Sequence, residues 1–232
     1  MKIALLGYGK MGKVIEKIAL ERGHSIVLKK SSANSFEGLK NADVAIDFSV
    51  PDSAVSHISE CLKNNIPVIS GTTGWLENYD KVVELCKTNN GSFIYGSNFS
   101  LGVNIFFELN NYLAKMMSNL KQYNVSMEEI HHTQKLDAPS GTAISLAKGV
   151  IENSDYTNWT LENPKNNEIH IDAKRIENVP GTHSVFYDSE VDQIEIKHTA
   201  HNREGFALGS VIAAEWLIGK KGVFTMKDVL GI

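Results

Sequence analysis

The chain has 232 residues, of which 42% are hydrophobic and 22% charged. That is room for one large domain or two modest ones with an ordinary buried core. Twenty-three basic residues against 27 acidic ones give a formal charge of -4, which argues against a nucleic-acid binder built on a broad basic face. No apolar run approaches the roughly 18 residues of a membrane span, so none is expected.

From the N-terminus, residues 3–6 read as a short buried strand. Glycines and Lys10 and Lys13 follow at once, so the start is not expected to be an export signal. A helix is predicted to about residue 22, with Met11, Val14, Ile15, Ile18 and Ala19 as its apolar stripe. Strands are expected near 25–29, 43–48, 66–70 and 93–95, with helices over 51–64 and 75–89. Pro51 and Asp52 suit a helix start. Apolar strands alternating with helices predict a parallel sheet covered on both faces.

The rhythm then changes. A helix is predicted over about 101–119, then an alternating strand over 122–131 that places Tyr123, Val125, Met127, Glu129 and His131 on one face. Another helix should follow Pro139, Ser140 and Gly141. Residues 152–168, with five Asn and one Pro, read as a surface excursion. Alternation returns near 168–174, 182–187 and 191–198, and a last helix is expected over about 203–218. Consecutive strands without helices between them suggest antiparallel pairing and an open sheet face. The fold class expected is α/β: a Rossmann nucleotide-binding domain (1–102 and 204–232) plus a second α+β domain with an open mixed sheet (103–203).

Gly7-Tyr8-Gly9-Lys10-Met11-Gly12 lies between the first strand and the first helix, where a dinucleotide cradle belongs. The first glycine permits the turn, the second lets backbone approach the pyrophosphate, and the third lets helix and strand pack closely. The second strand lacks a terminal acidic residue for ribose hydroxyls. It ends instead in Lys29-Lys30-Ser31-Ser32, which suits a 2′-phosphate. The expected cofactor is therefore NADPH or NADH, with NADPH favoured and Lys29 as a candidate contact. Later strand ends add Asp47 and Phe48, then Gly71, Thr72 and Thr73, then Asn98, Phe99 and Ser100, since ligands of such sheets sit at the carboxyl ends of the strands.

The densest chemistry runs from Glu129 through His131, His132, Lys135 and Asp137 to Ser140-Gly141-Thr142. Histidine titrates near neutrality and can act as an acid or base. Lys135 suits a substrate carboxylate. The helix start at Ser140, Gly141 and Thr142 is a second anion site. Two anion sites imply a small dicarboxylate. His131 and His132 point to opposite faces of a strand and HExxH is absent, so no metal is expected. The two cysteines, Cys61 and Cys86, lack CxxC spacing and suit a reducing compartment, hence a cytoplasmic location.

The segment 129–143 strongly resembles the signature of the dihydrodipicolinate reductase family, and likeness extends to residues 7–12, 47–49, 71–74, 98–104 and 195–209. The resemblance implies NAD(P)H-dependent reduction of 4-hydroxy-tetrahydrodipicolinate, a cyclic imine with two carboxylates, to tetrahydrodipicolinate in diaminopimelate and lysine synthesis. It implies that His131 is the general acid, His132 binds substrate, Lys135 is the catalytic lysine that also holds a carboxylate, and Gly141 and Thr142 hold the other. It also implies a homotetramer joined through the open sheet. Glu177 stands where family members often carry glycine. Two rivals remain at this point. A phosphorylating semialdehyde dehydrogenase needs a catalytic cysteine, which neither cysteine's position supports; a nucleotide sensor leaves His131 and Lys135 without a task.

Overall fold

The computed structural model describes residues 1–31, 35–202 and 204–232. Ser32, counted above among the hydroxyls for a 2′-phosphate, and Arg203, placed above at the start of the last helix, lie outside the described residues. In chain order the elements are β1 (Lys2–Leu6), α1 (Lys10–Glu21), β2 (Ser25–Lys30), β3 (Val44–Asp47), α2 (Pro51–Lys63), β4 (Val68–Ser70), α3 (Tyr79–Thr88), β5 (Ser92–Tyr95) and α4 (Leu101–Met117). They continue as β6 (Asn124–His131), α5 (Gly141–Ile151), β7 (Asn158–Thr160), β8 (Glu168–Arg175), β9 (Gly181–Asp188), β10 (Gln193–Ala200), α6 (Glu204–Leu217), β11 (Gly222–Phe224) and α7 (Met226–Leu230). The chain divides into two compact units, Met1–Leu101 with Glu204–Ile232, and Gly102–Arg203.

The first unit holds a six-stranded parallel sheet in the order β11-β5-β4-β3-β1-β2. Its strands are apolar on both faces because both are covered. Ile3, Leu5 and Ile46 pack with Ile15 and Ile18 of α1 and Val211 and Ala214 of α6. Ala4, Leu6 and Ala45 point the other way, onto Ile58 and Leu62 of α2 and Val82 of α3. Each of these Ile, Leu and Val side chains contributes about 1.5–3 kcal/mol by leaving water. The sixth strand, β11, arrives from the C-terminus and pairs with β5. Three residues with a glycine at their head carry too little pattern to be read as a strand.

The second unit holds a five-stranded mixed sheet, β10-β9-β6-β8-β7. β9 pairs antiparallel with β6 and β10, while β8 runs parallel to β6 and β7. Val125, Met127, Ile171 and Val185 form one apolar face beneath Phe106 and Leu113 of α4 and Leu146 and Val150 of α5. The other face of β6 carries Ser126, Glu128 and Ile130, all half-buried. β7 lies within the polar stretch read as pure excursion; its Trp159 packs against the apolar face. Asn178, at φ +61°, makes the left-handed turn after β8, so Glu177 need not be glycine.

Candidate active site

In the first unit the glycine turn is built for close backbone approach. Gly7 has φ +95°, and a Cβ there would lie 2.1 Å from the Phe48 carbonyl oxygen. A Cβ on Gly12 would meet the Gly7 oxygen at 2.4 Å, whereas one on Gly9 would meet nothing within 4 Å. Gly9 is also the N-cap of α1, with no side chain to cap the helix and no acidic residue in the first turn. The positive end of α1 is thus left to an outside anion. These features fit a dinucleotide pyrophosphate at residues 7–12.

Other sequence-predicted residues divide between lining a cavity and supporting one. Lys29 pairs with Glu16 at 2.6 Å and stands 5.0 Å over the Tyr8 ring, while the Tyr8 hydroxyl donates to the same carboxylate. Lys29 lowers the Glu16 pKa, and Glu16 raises that of Lys29. Lys30, not Lys29, lines the cavity of about 550 Å³ beside Gly7, Tyr8 and Gly9. Its ammonium donates to the Ser31 carbonyl at 2.7 Å and lies 5.3 Å from the Phe36 ring. Neighbours on a strand point to opposite faces, so one lysine meets α1 and the other the cavity.

Asp47 is fully buried at the end of β3. It accepts from Ser49 Oγ at 2.7 Å and from Ser70 Oγ and Thr72 Oγ1 at 2.8 Å, with His57 Nδ1 at 3.0 Å. Its carboxylate is occupied inside the protein, and it holds two strand-end loops together. The Phe48 ring lies where a Cβ of Gly71 would be, at 2.3 Å. Phe48, Gly71, Thr72 and Thr73 line a smaller cavity of about 250 Å³ together with Met11. Phe99 is a core side chain. The Asn98 side-chain oxygen accepts from the Ser100 amide at 2.8 Å, which shapes that turn. Ser70 and His57 gave no sign in the sequence, because each is linked to Asp47 only through the fold.

The second unit gathers its chemistry at the end of β6. Register sets Glu129 opposite His183 of β9, and His131 opposite Arg175 of β8. Glu129 has no exposed surface. Both its oxygens accept from the Ser140 amide at 3.1 Å, and Oε1 also accepts from Arg175 Nη2 at 3.1 Å. His131 Nδ1 lies 3.3 Å and His183 Nε2 3.7 Å from Oε2. Burial by itself pushes the Glu129 carboxyl up. His131, His183, Ser140 and Arg175 outweigh that and hold it well below the usual carboxylate range. Burial pushes His183 down, and its Nε2 lies 3.0 Å from Ser140 Oγ. The ligand atoms of Glu129, His131 and His183 lie within 4.8 Å of one another, but Arg175 and the Ser140 amide already use the carboxylate.

Lys135 and the helix start share the same loop. Lys135 Nζ donates to both oxygens of Asp137, at 2.8 and 2.7 Å, and holds that carboxyl below its ordinary value. Arg175 pins the loop through the Lys135 and Asp137 carbonyls at 3.3 and 2.6 Å. Ser140 caps α5, accepting from the Ala143 amide at 3.2 Å. Gly141 is exposed, with nothing within 4 Å of its missing side chain, and Thr142 follows half-buried. His132 lines a separate cavity of about 570 Å³ with Thr133, Asn178 and His201. The sequence reading did not assign roles to Glu129, Arg175 and His183; only cross-strand register joins them.

Comparison with known proteins covers both units. Residues 1–99 match the family described as dihydrodipicolinate reductase, N-terminus, and residues 102–230 the C-terminal counterpart. A 4-hydroxy-tetrahydrodipicolinate reductase of Christiangramia forsetii is 58% identical, covering 99% of this chain and 98% of that one. One of Thermosipho africanus is 35% identical over the same shares. A dipicolinate-bound dihydrodipicolinate reductase from Paenisporosarcina sp. TG-14 has the same fold, with TM-score 0.79 at 22% identity over 97% of each chain. An aspartate dehydrogenase from Thermotoga maritima reaches TM-score 0.52 at 15% identity, covering 97% of this chain and 99% of that one. The fold by itself is therefore shared with enzymes of other substrates.

Proposed function

The chain belongs to the dihydrodipicolinate reductase family, and from that premise we propose that it reduces 4-hydroxy-tetrahydrodipicolinate to tetrahydrodipicolinate, a step of diaminopimelate and lysine synthesis. The observation that carries this reading is the loop of residues 131–142. It joins a histidine at a strand end, a lysine whose own counter-ion is an exposed aspartate, and an open helix start. A proton donor and two anion-binding groups carried on one loop match a cyclic imine with two carboxylates.

When bound at residues 7–12, the nicotinamide cofactor supplies a hydride. The chain's own residues bind, orient and protonate. Lys135 exchanges Asp137 for one substrate carboxylate. The amides of Gly141 and Thr142, with the Thr142 hydroxyl, take the other at the positive end of α5. His132 adds a contact from the neighbouring cavity. The ring that accepts a hydride gains an electron pair at an adjacent atom, and His131 gives its proton there. Tyr8, Lys10, Met11, Thr73 and the backbone around Phe48 and Gly71 hold the cofactor, and Asp47 and Thr72 hold those loops.

NADPH is the favoured donor. The support is Lys30 at the end of β2, where an enzyme selective for NADH carries a carboxylate for the ribose hydroxyls. Copies of the chain join as a homotetramer through the face of the second sheet bearing Ser126, Glu128 and Ile130, which sedimentation velocity tests. Among the described residues no helix is long and apolar enough to cross a membrane, and the two buried cysteines suit the cytoplasm. The deciding experiment follows NADPH and NADH absorbance in parallel with freshly made substrate. Substrate-dependent oxidation of both, with the lower KM for NADPH, is expected. No oxidation of either would overturn the assignment.

A further inference from the structure

We propose that Glu129 is a positioning residue of the reductase reaction. It holds the His131 ring by its Nδ1 edge, so that Nε2 is the nitrogen that delivers the proton. The inference rests on the reading of His131 as the acid. Glu129 has no exposed surface and so acts only through its neighbours. Its Oε2 lies 3.3 Å from His131 Nδ1, at ion-pair distance but outside hydrogen-bond geometry, and that buried nitrogen has no hydrogen-bond partner among the described residues. The opposite ring edge faces Gly181: a Cβ built there would lie 3.1 Å from His131 Nε2. A residue without a side chain therefore stands close against that nitrogen. Gly181 has no positive φ, so its missing side chain matters for the close approach of this ring rather than for the backbone.

The second buried histidine is held differently. His183 packs edge-on against His131 with centroids 5.0 Å apart. Its Nε2 is bonded to Ser140 Oγ, and its burial favours the neutral ring. One carboxylate thus meets one histidine through Nδ1 and the other through Nε2, and only His131 keeps Nε2 for the reaction.

The charged and titratable groups around His131 are Glu129 on β6, Arg175 on β8, His183 on β9, His198 opposite it on β10, and His132, Lys135 and Asp137 in the loop. With the histidines neutral, Glu129 and Asp137 balance Arg175 and Lys135. A proton added to His131 then has Glu129 as its adjacent carboxylate. In the step, the Nε2–H bond breaks, its electron pair stays on the imidazole, and the proton joins the substrate. The Nδ1–H remains against Glu129. The hydride comes from the cofactor, which is oxidised as the substrate is reduced, and solvent restores the Nε2 proton.

The test compares Glu129→Gln, Glu129→Asp and the unmodified enzyme. Glu129→Gln should lower kcat by about 10–100-fold and change substrate KM by less than about threefold. Glu129→Asp, which keeps the carboxylate, should recover more of kcat than Glu129→Gln does. In a His131→Gln background, Glu129→Gln should add no further loss, since groups acting as a unit are non-additive. Histidine ¹⁵N shifts of the unmodified protein should show neutral His131 protonated on Nδ1, a readout that stands even if Glu129→Gln fails to fold. Additive losses, or a neutral His131 protonated on Nε2, would overturn the proposal. Ordinary turnover by His131→Ala would instead overturn the reading beneath it.

Discussion

Each unit buries one carboxylate at the carboxyl end of a central strand, and the two are surrounded in opposite ways. Asp47 meets three hydroxyls and one imidazole. Glu129 meets a guanidinium, two imidazoles and a backbone amide. Both organise loops. The hydroxyl shell around Asp47 has little charge to move, which suits a rigid floor for a cofactor. The shell around Glu129, one guanidinium and two imidazoles, is made of groups that can carry or exchange a proton. The same device is therefore surrounded by neutral hydroxyls in one unit and by ionisable groups in the other, and the proposed roles of the two sites, cofactor binding and proton transfer, differ accordingly.

The sharpest break in that contrast would come from His131→Ala. Loss of a general acid should lower kcat by about 10²–10⁴-fold with cofactor Kd unchanged, as measured by steady-state kinetics and fluorescence titration. Lys135→Ala should follow, with kcat/KM down by roughly 10–100-fold, the equivalent of one charged hydrogen bond of about 1.5–3 kcal/mol. Its NADPH binding should stay intact.

Asp47→Ala probes the other side. It leaves Ser70, Thr72 and His57 without their acceptor, at a cost of about 2–4 kcal/mol. Chemical denaturation should show that loss, and calorimetry should show weakened cofactor binding, while dipicolinate still binds. Retained cofactor affinity would mean that the loops do not depend on this carboxylate.

Acid should expose the difference more gently. His183 is depressed by burial in the folded state, so the unfolded chain takes up its proton first. Its contribution to stability is present above the ordinary histidine value near 6.5 and is lost as pH falls towards its lower folded value. Hydrogen exchange should show β9 losing protection as pH falls from about 7 to 5. His183→Asn should flatten that dependence. The smallest effect expected is on cofactor choice: Lys30→Ala should raise the KM for NADPH about tenfold and leave NADH unchanged, while Lys29→Ala should alter neither by more than about twofold.

The two units were not equally legible. In the first, Gly7, Gly9 and Gly12 are meaningful by spacing alone, because a turn between a strand and a helix is a local event. The identity of the cavity-lining lysine was not. Lys29 and Lys30 are equivalent in a list of residues, and strand alternation separates them only once the turn is anchored by the Gly7 amide on the Lys30 carbonyl. Asp47 was legible as a strand-end carboxylate expected to meet the cofactor; that its oxygens meet Ser49, Ser70, Thr72 and His57 was not, since only the depth of the strand end shows those partners. β7 and β11 escaped notice because three residues at a sheet edge carry little periodicity.

What the residues by themselves determined about this protein is whatever depends on near neighbours. That includes the strand–glycine–helix opening, the alternating face of β6, and one loop carrying His131, Lys135, Gly141 and Thr142. Tertiary structure decided which partners those groups meet. Arg175 reaches Glu129 across 46 residues, and His183 reaches Ser140 across 43. Such pairs are set by strand register and by exclusion of water, which act between segments that the chain order keeps apart. An ionisable side chain has an ordinary chemistry until burial and neighbours assign it another.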